Sequence, residues 1–384
     1  MKIAFIGQKG IPTKFGGIER HVEELAVRLV KAGQKVFVYC RPWYAPVDKK
    51  SFRGIKLISL PSIRTKHLDA ISHTFIATLH ALFSDYDIIH YHGVGPALLS
   101  FIPRIFKPQV RVVATFHCID RKHQKWGLFA RTFLKLGERA ACLFAHQTIT
   151  VSKTLQYYCS QIYNTDTVYI PNGVGRKNVN CGSDLIAKKF GLQENGYLLV
   201  VSRLVRHKGI HYLINAFHRL KTDKKLVIVG DSAFTDDYVQ ELHDLSYGSK
   251  NIIFTGYQNG KVLDQLFANA YAFILPSESE GLPIVILEAM AYGKAVLASD
   301  ITENLEVVRG HGFSFRNKQI DDLVSRLKHL LDNQKNVEAI GRESRDFVMQ
   351  NYNWDDIVKK TIVLYHQTLK SGAKKGLAPS QVQA

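Results

Sequence analysis

Short runs of continuously apolar residues, each followed by a polar or glycine-containing loop, recur along the sequence. KIAFIG (residues 2–7), VVATF (112–116) and YLLVV (197–201) are examples, and segments with apolar residues at helical spacing separate such runs. A strand that is apolar on both faces is typical of a parallel sheet covered by helices on both sides. The sequence therefore predicts an α/β fold with doubly wound, Rossmann-like parallel sheets. In such sheets ligands bind at the carboxyl ends of the strands.

The length of 384 residues suits two domains, each able to bury its own core. The polar stretch GRKNVNCGSD reads as a linker between two strand-containing halves, and it places the boundary near residue 180. We therefore predict an N-terminal domain over residues 1–180 and a C-terminal domain over 181–353. Residues 371–384 contain few apolar side chains, and we predict that they form a disordered tail.

Hydropathy and cysteine usage predict a cytoplasmic protein. No apolar run approaches the roughly 20 residues that span a bilayer, and the sequence opens with a strand pattern rather than a signal peptide, so no export is expected. The cysteines are scattered, without a C-x-x-C pair, which predicts reduced thiols and gives no metal signature. They are Cys40, Cys118, Cys142, Cys159 and Cys181.

The positive charge is concentrated in the first half of the chain. Residues 1–190 contain 28 lysines and arginines against 11 acidic residues, whereas the remainder contains 23 and 22. Such asymmetry favours an anionic partner for one domain: a membrane surface, an anionic acceptor or a nucleic acid. A solvated basic surface without a partner is the alternative. We find no nucleic-acid-binding module and expect no nucleic-acid partner.

Two segments of the first half are basic and apolar together. Residues 101–111 read FIPRIFKPQVR, and within residues 121–144 Arg131, Lys135 and Arg139 are spaced to form one stripe of a helix. A neighbouring face is apolar: Phe129, Phe133, Leu136 and Ala140. This face either packs into the domain core, the usual arrangement, or docks on an anionic membrane, where each basic side chain contributes about 1 kcal/mol.

The stretch PSESEGLPIVILEAM follows an apolar run and contains two glutamates separated by seven residues, Glu280 and Glu288. Pro283 suits the first turn of a helix and Gly293 suits its end. Glu280 should therefore lie on the loop that enters the helix, and Glu288 inside it. A helix N-terminus attracts anions, and carboxylates beside it suit hydroxyl groups. The combination favours a nucleotide sugar, although ordinary surface glutamates are the alternative.

Three further loops at strand ends carry candidate site residues. Gly16 and Gly17 either let backbone amides approach a phosphate or only form a tight turn. Arg203 and Lys208 can aim two cations at a diphosphate leaving group, although two loop cations are more often simply solvated. His117 follows the run VVATF and is either a core histidine bonded to the backbone or part of a ligand site.

Five strings, in the expected order, resemble the retaining glycosyltransferases of family 4, which have the GT-B fold and include many enzymes of bacterial surface-polysaccharide synthesis. The strings are PTKFGGIERH (12–21), TFH (115–117), VYIPNGV (168–174), RLVRHKG (203–209) and the E-x7-E stretch (280–288). The chain departs from the EGFG-type loop of this family by carrying Leu282 and Pro283. Because proline has no N–H, any family contact with an amide at that point is in doubt.

The resemblance implies two facing Rossmann-like domains with the site in the cleft between them. It also implies a last helix, over about residues 354–370, that packs back on the N-terminal domain. The family pattern assigns the donor diphosphate to Arg203 and Lys208. The backbone amides of Gly16 and Gly17 would assist them.

The same resemblance implies roles for four more residues. Glu288 should bind the ribose hydroxyls, Glu280 the donor sugar, and the loop that contains Tyr257 the base. His117 should line the site of the sugar and the acceptor. The family is thought to react on one face of the sugar, with the departing phosphate taking the proton of the acceptor, so no side-chain base is implied.

The implied activity is retaining transfer of a hexose from a nucleotide-diphosphate sugar to a glycan or polyprenyl-linked acceptor, at the inner face of the membrane. No metal or other cofactor is expected, because no D-x-D element lies at a suitable strand end and the two cations can replace a metal. The donor sugar, its base and the acceptor stay open. The alternatives are a nucleotide-sugar epimerase or phosphorylase of similar shape, a glycoside hydrolase that uses Glu280 and Glu288, and a non-catalytic nucleotide-binding or membrane scaffold.

Overall fold

The computed structural model describes residues 1–45, 48–65, 68–122, 127–233 and 235–373. The chain divides into two compact units. Unit 1 combines Met1–Asn172 with the segment that begins at Trp354, and unit 2 is Gly173–Asn353. Each unit is built on its own, mainly parallel sheet, so the predicted α/β architecture of two parallel-sheet domains is confirmed.

Unit 1 contains one sheet with strand order β3-β4-β2-β1-β5-β6-β7-β8. Its strands are β1 (Lys2–Ile6), β2 (Lys35–Cys40), β3 (Ser51–Phe52), β4 (Ile55–Ser59), β5 (Ile88–His92), β6 (Arg111–Phe116), β7 (Gln147–Thr150) and β8 (Val168–Tyr169). Its first helices are α1 (Gly17–Lys31), α2 (Asp69–Leu82), α3 (Val94–Ala97), α4 (Phe101–Phe106), α5 (Leu128–Phe144) and α6 (Lys153–Tyr163). Neighbouring strands pair parallel, except β3 and β4 at the edge, which pair antiparallel.

The central strands of unit 1 are apolar throughout because both of their faces are buried. Ile3 and Phe5 of β1 join a core cluster that includes Val22 of α1. Ala4 and Ile6 of the same strand join a second cluster on the opposite face. Successive side chains of a strand point to opposite faces, so the residues of a run such as KIAFI pack alternately into the two core clusters.

Unit 2 contains a sheet with strand order β11-β10-β9-β12-β13-β14. Its strands are β9 (Tyr197–Val201), β10 (Lys225–Val229), β11 (Ile252–Gly256), β12 (Ala272–Leu275), β13 (Val296–Ser299) and β14 (Phe313–Phe315), all paired parallel. Its helices are α7 (Asp184–Phe190), α8 (Ile210–Phe217), α9 (Asp236–Leu245), α10 (Gly260–Ala268), α11 (Ile284–Ala291), α12 (Thr302–Val308), α13 (Ile320–Asp332) and α14 (Gln334–Asn351). A separate apolar cluster forms its core.

The division of the chain falls after Asn172, eight residues before the predicted boundary near 180. The predicted linker and the residue before it already belong to unit 2: the amide of Val174 donates to the carbonyl of Tyr352 at 2.8 Å, and Lys177 of the linker pairs with Glu288. Backbone and side-chain contacts therefore tie this polar stretch to the second domain.

The last helix, α15 (Trp354–Ala373), belongs to unit 1 and contributes Trp354, Ile357 and Tyr365 to its core. It runs three residues beyond the predicted end at residue 370. Ser371 lies in its last turn, where its Oγ donates to the carbonyl of Thr368 at 3.0 Å. Residues 374–384 of the predicted tail lie outside the described residues.

Two predictions drawn from composition can be compared with the fold. None of the helices in the described ranges has the length and hydropathy needed to cross a bilayer. All five cysteines are unbridged in the structure, and their reduced state stays a prediction.

Candidate active site

The strand order of unit 2 reverses between β9 and β12, and an open α/β sheet binds ligands at the carboxyl ends that flank such a reversal. Arg203 and Lys208 lie on the loop after β9, and Glu280 lies on the loop after β12. The predicted position of Glu288 inside the following helix is also confirmed. Pro283 is the residue before that helix rather than part of its first turn.

The two loops of this crevice pack directly on each other. Gly209 adopts φ +69°, and a Cβ at this position would lie 2.0 Å from the carbonyl oxygen of Pro276. The amide of Glu278 donates to the carbonyl of His207 at 2.8 Å. Glycine is therefore required at position 209 both by its backbone conformation and by the close approach of the second loop.

Lys208 and Glu280, which the sequence assigned to one ligand, form an ion pair. The Nζ atom of Lys208 lies 2.5 Å from Oε1 of Glu280, and both side chains are largely buried. Arg203 is half-buried and forms no ion pair with any residue in the described ranges. The crevice therefore offers one compensated cation and one uncompensated guanidinium, whose planar donors suit the bidentate grip of phosphate oxygens.

Glu288 has a partner that the sequence analysis missed. The Nζ atom of Lys177 lies 3.5 Å from Oε1 of Glu288, and the same ammonium lies 5.3 Å from the centre of the Tyr292 ring. Lys177 stands in the stretch that was interpreted as a linker, where a lone lysine carries no signal. Only its position three residues after the VYIPNGV string could have indicated that Lys177 reaches the site.

Glu278 is a third carboxylate of the same stretch, and it is held by protein groups. Its Oε1 accepts from the hydroxyl of Tyr212 at 2.9 Å, and its Oε2 lies 2.9 Å from Nζ of Lys318. These bonds fix the loop on which Glu280 stands. Glu278 thus supports the site, although it stands outside the E-x7-E spacing that Glu280 and Glu288 share.

Tyr257 follows β11, the edge strand, and therefore lies two strands away from β9 on the same side of the sheet. Its ring is 43% exposed, and Gly256 before it adopts φ +66°. A large exposed aromatic side chain at this edge is a suitable surface for stacking a base. The role implied for Tyr257 stays a prediction.

In unit 1 the strand order reverses between β1 and β5, and the glycine loop after β1 lies at this point. Two carboxylates of α1 hold the loop: Glu19 accepts from the amide of Lys9 at 3.0 Å, and Glu23 accepts from the amide of Thr13 at 2.5 Å. Gly16 adopts φ +110°, and a Cβ there would lie 1.8 Å from Oε2 of Glu19. The packing of the loop itself therefore requires Gly16.

Gly17 differs from its neighbour. It is the first residue of α1, its φ lies outside the left-handed region, and a Cβ built on it would meet nothing within 4 Å. The amides of the first turn of a helix lack partners within the helix, and none is recorded for the amide of Gly17 among the described residues. Nothing in the fold requires glycine here, whereas a ligand approaching the backbone would.

His117 lies directly after β6, at the carboxyl end of the sheet, within a group of buried histidines. Its Nε2 is 3.3 Å from Nδ1 of His92, the last residue of β5. The ring of His21 in α1 stands against it, with centroids 4.9 Å apart. His90 stacks on His92 at 4.2 Å and is fixed by Thr115 and Tyr365, each 2.7 Å from one of its ring nitrogens.

Burial keeps these histidines neutral. Desolvation lowers the pKa of His21 to about 4 and that of His90 to about 3. The pKa values of His92 and His117 are lowered well below the usual value, first by burial and then by the neighbouring histidines. At neutral pH the group can therefore exchange hydrogen bonds with a hydroxyl but carries no charge.

Two family models match the chain, one in each half. The model described as "Glycosyltransferase Family 4" matches residues 15–176, and the model described as "Glycosyl transferases group 1" matches residues 183–366. With the two parallel-sheet domains described above, the chain is a glycosyltransferase with the GT-B fold. It belongs to the family 4 type of these enzymes.

Relatives and solved structures agree with this assignment over nearly the full chain. An uncharacterized glycosyltransferase of Methanocaldococcus jannaschii is 29% identical over 95% of this chain and 98% of its own. The sucrose-phosphate synthase of Thermosynechococcus elongatus superposes with a TM-score of 0.82 at 22% identity, covering 96% of this chain and 99% of the other. The Anabaena protein HepE, in complex with UDP-glucose, gives a TM-score of 0.78 at 22% identity, covering 97% and 100%.

Proposed function

We propose that the protein is a retaining hexosyltransferase. It takes the hexose from a nucleotide-diphosphate sugar and places it on a glycan or polyprenyl-linked acceptor in the synthesis of a bacterial cell-surface polysaccharide. One observation carries the proposal: Arg203, Lys208 and Glu280 converge on the two strand ends where the sheet of unit 2 reverses its order. Cations beside a carboxylate match a ligand that combines a diphosphate with sugar hydroxyls.

The proposed chemistry uses these residues to stabilise the leaving group. The bond between the anomeric carbon and the diphosphate oxygen breaks while the acceptor oxygen bonds to the same carbon on the same face of the sugar. The acceptor proton passes to the departing phosphate oxygen. Arg203 and Lys208 stabilise the negative charge that grows on the diphosphate, a contribution of about 3–4 kcal/mol for each well-placed donor.

The remaining residues orient the donor and the acceptor. Glu280 accepts from a sugar hydroxyl and shares Lys208 with the diphosphate, and Glu288 accepts from the ribose hydroxyls with Lys177 as its second partner. The amide of Gly17 donates to the diphosphate. His117, neutral because it is buried, exchanges a hydrogen bond with a sugar or acceptor hydroxyl.

No metal is needed in this scheme, because the charge of the diphosphate is met by a guanidinium and an ammonium. Transfer should therefore continue at an unchanged rate after treatment with EDTA. Addition of Mg²⁺ should not increase it.

Names of relatives support the proposed pathway. Relatives include an Escherichia coli protein named O-antigen chain mannosyltransferase C, 24% identical over 97% of this chain and all of its own. Another is an Escherichia coli galactosyltransferase that acts on a diphosphoundecaprenol-linked sugar, 27% identical over 73% of this chain and 75% of its own. We infer the same general class of acceptor for this protein.

A surface of unit 1 supports attachment to an anionic membrane on the cytoplasmic side. The apolar face of α5 does not pack into the core: Leu128 is 84% exposed and Phe129 78%. The packed face of α5 instead contains Gly137, Glu138, Ala140 and Ala141. Only Ala140 of the predicted apolar face is buried. The expectation that this face packs into the domain core is therefore wrong.

The exposed apolar side chains continue onto neighbouring helices and alternate with cations. The Nζ atom of Lys107, after α4, donates to the carbonyl of Leu82 at the end of α2, and the adjacent Phe83 and Phe106 are 92% and 72% exposed. Exposed cations on α4 and α5 include Arg104, Arg131, Lys135 and Arg139. Apolar rings flanked by cations are typical of an interfacial membrane contact.

The activity is tested in two steps. A thermal-shift screen with UDP-, GDP- and dTDP-sugars identifies the donor, because a ligand of the folded state raises the melting temperature. The product formed with that donor is then examined by NMR, which should show the anomeric configuration of the donor retained. An inverted product would contradict the retaining scheme, and release of an epimer of the sugar without acceptor would favour the epimerase alternative.

A further inference from the structure

Three buried histidines of unit 1 converge on one point. His21 comes from α1, His92 from the end of β5 and His117 from the residue after β6. Each presents one ring nitrogen, and these nitrogens lie within 4.8 Å of one another. The proposed transfer uses His117 alone, and the PTKFGGIERH string that contains His21 assigns no role to that ring.

Imidazole rings can donate a lone pair to a metal ion. A neutral imidazole has a proton on one ring nitrogen and a lone pair on the other. In His21 the Nδ1–H donates to Oδ1 of Asn172 at 2.9 Å, which leaves the lone pair on Nε2. An imidazole oriented by such a bond on its far nitrogen is the usual arrangement of a metal-ligating histidine.

The separation of two of these nitrogens fits a tetrahedral ion. Nδ1 of His92 and Nε2 of His117 are 3.3 Å apart. Two ligands bonded at about 2.0–2.1 Å to a tetrahedral zinc ion are separated by about 3.3–3.4 Å.

We propose that His21, His92 and His117 form a site for one divalent transition-metal ion of the zinc type, with the fourth position open. Three imidazoles without a carboxylate favour Zn²⁺, Co²⁺ or Ni²⁺ over Mg²⁺ and Ca²⁺, which take oxygen ligands. The ion is not a cofactor of the transfer reaction. Because His117 is proposed to contact the sugar and the acceptor, occupation of the site withdraws it and inhibits transfer. This second part rests on the proposed function.

Binding is measured first, with the metal alone. Protein stripped of metal by a chelator is titrated with Co²⁺ and followed by visible absorption, and with Zn²⁺ and followed by calorimetry. We expect one equivalent to bind, with the intense d–d bands of four-coordinate cobalt. The weak bands of six-coordinate cobalt, or no saturable binding, would overturn the proposal.

Variants locate the site. His92→Gln and His21→Gln should each lower the affinity for Zn²⁺ at least tenfold. Asn172→Ala keeps all three ligands but removes the bond that orients the ring of His21, so the affinity should fall by about 10–100-fold. This variant still tests the site if a ligand variant does not fold. The matched control is His366→Gln, an exposed histidine of the same unit, and it should bind as the wild type does. If His366→Gln lost as much affinity for Zn²⁺ as the ligand variants, the ion would bind only to surface histidines.

The activity arm separates the two proposals. Zn²⁺ should inhibit transfer by the wild type, EDTA should reverse the inhibition, and Mg²⁺ should have no effect. Binding of Zn²⁺ with unchanged transfer would refute the placement of His117 at the acceptor and leave the metal site intact. Absence of transfer with normal Zn²⁺ binding would refute the proposed function alone.

Discussion

Lys208 and Glu280 form a largely buried ion pair with a separation of 2.5 Å, although they stand on loops that follow different strands of the second sheet. The cation proposed to meet the diphosphate is therefore compensated before any donor binds. A bound donor must share the ammonium with the carboxylate. In the proposed function, the pair thus holds the two groups at one place for joint recognition of a diphosphate and a sugar hydroxyl.

Replacement of Lys208 tests this arrangement. Lys208→Ala should reduce kcat/KM by roughly 100–1000-fold, because a donor to the developing negative charge is lost. Circular dichroism should show an intact fold. The matched control is Arg206→Ala on the same loop after β9, since Arg206 is exposed and pairs with Glu241. Turnover by Lys208→Ala at the wild-type rate would remove the diphosphate assignment.

The two adjacent glycines of the first loop should respond differently to alanine. Gly17→Ala should leave the melting temperature unchanged or slightly higher, because its backbone is unstrained and its surroundings are open. The KM for the donor should nevertheless rise at least tenfold as the amide is shielded. Gly16→Ala should destabilise by about 1–3 kcal/mol because of its left-handed φ and the contact with Glu19. A normal KM in Gly17→Ala would exclude the amide from donor binding.

Stability should fall in mild acid through His73, which is fully buried on α2. Burial and, to a lesser extent, Arg41 lower its pKa to about 4, whereas Asp69 acts in the opposite direction. The unfolded chain binds the proton more readily, so the stabilisation is complete above pH 6.5 and is lost as the pH falls towards 4. By pH 5 the loss from this residue should reach about 2 kcal/mol.

The measurement compares melting temperatures at pH 7.5 and pH 5.0. In His73→Leu the melting temperatures at the two pH values should differ by several degrees less than in the wild type, since about 1 kcal/mol corresponds to 2–4 °C in a domain of this size. His366→Leu, at an exposed position of α15, serves as the control and should keep the wild-type difference. An unchanged difference in His73→Leu would show that this histidine is not neutral in the folded state.

Attachment to the membrane should require both the rings and the cations of unit 1. Sedimentation with liposomes should depend on anionic lipid and weaken with salt. The double variant Phe129→Ser/Phe133→Ser should bind several-fold more weakly, because two exposed rings are lost. Tyr247→Ser, which removes an aromatic ring that is almost fully exposed on unit 2, should bind normally. Equal binding to neutral vesicles would contradict an electrostatic attachment.

The fold and the positions of the main site residues follow from local patterns. Continuous apolar runs predict strands buried on both faces, and the residues after each run then lie at the carboxyl edge of a sheet. This reasoning is sufficient to place Arg203, Glu280 and His117. It also predicts that Glu288 lies inside a helix, because proline and glycine delimit that helix.

Contacts between distant parts of the chain could not be predicted in this way. Lys177 meets Glu288 across 111 residues, and His21 meets Asn172 across 151. Helical spacing identifies which residues of α5 share a face but not which face is buried. That choice depends on close packing, because a Cβ on Gly137 would lie 2.2 Å from the carbonyl of Val94.

The path of the chain makes unit 2 an uninterrupted insertion within unit 1. At the ends of this insertion Val174 pairs with Asn353 as an isolated parallel bridge. Within unit 1, the ring of His21 contacts both Asn172 and Trp354, the two residues between which unit 2 is inserted. Residues 173–353 could therefore be excised, or exchanged for the equivalent portion of a relative, through a single pair of neighbouring junctions. If the proposed function holds, chimaeras made in this way would change the donor preference while keeping the half that is proposed to bind the acceptor.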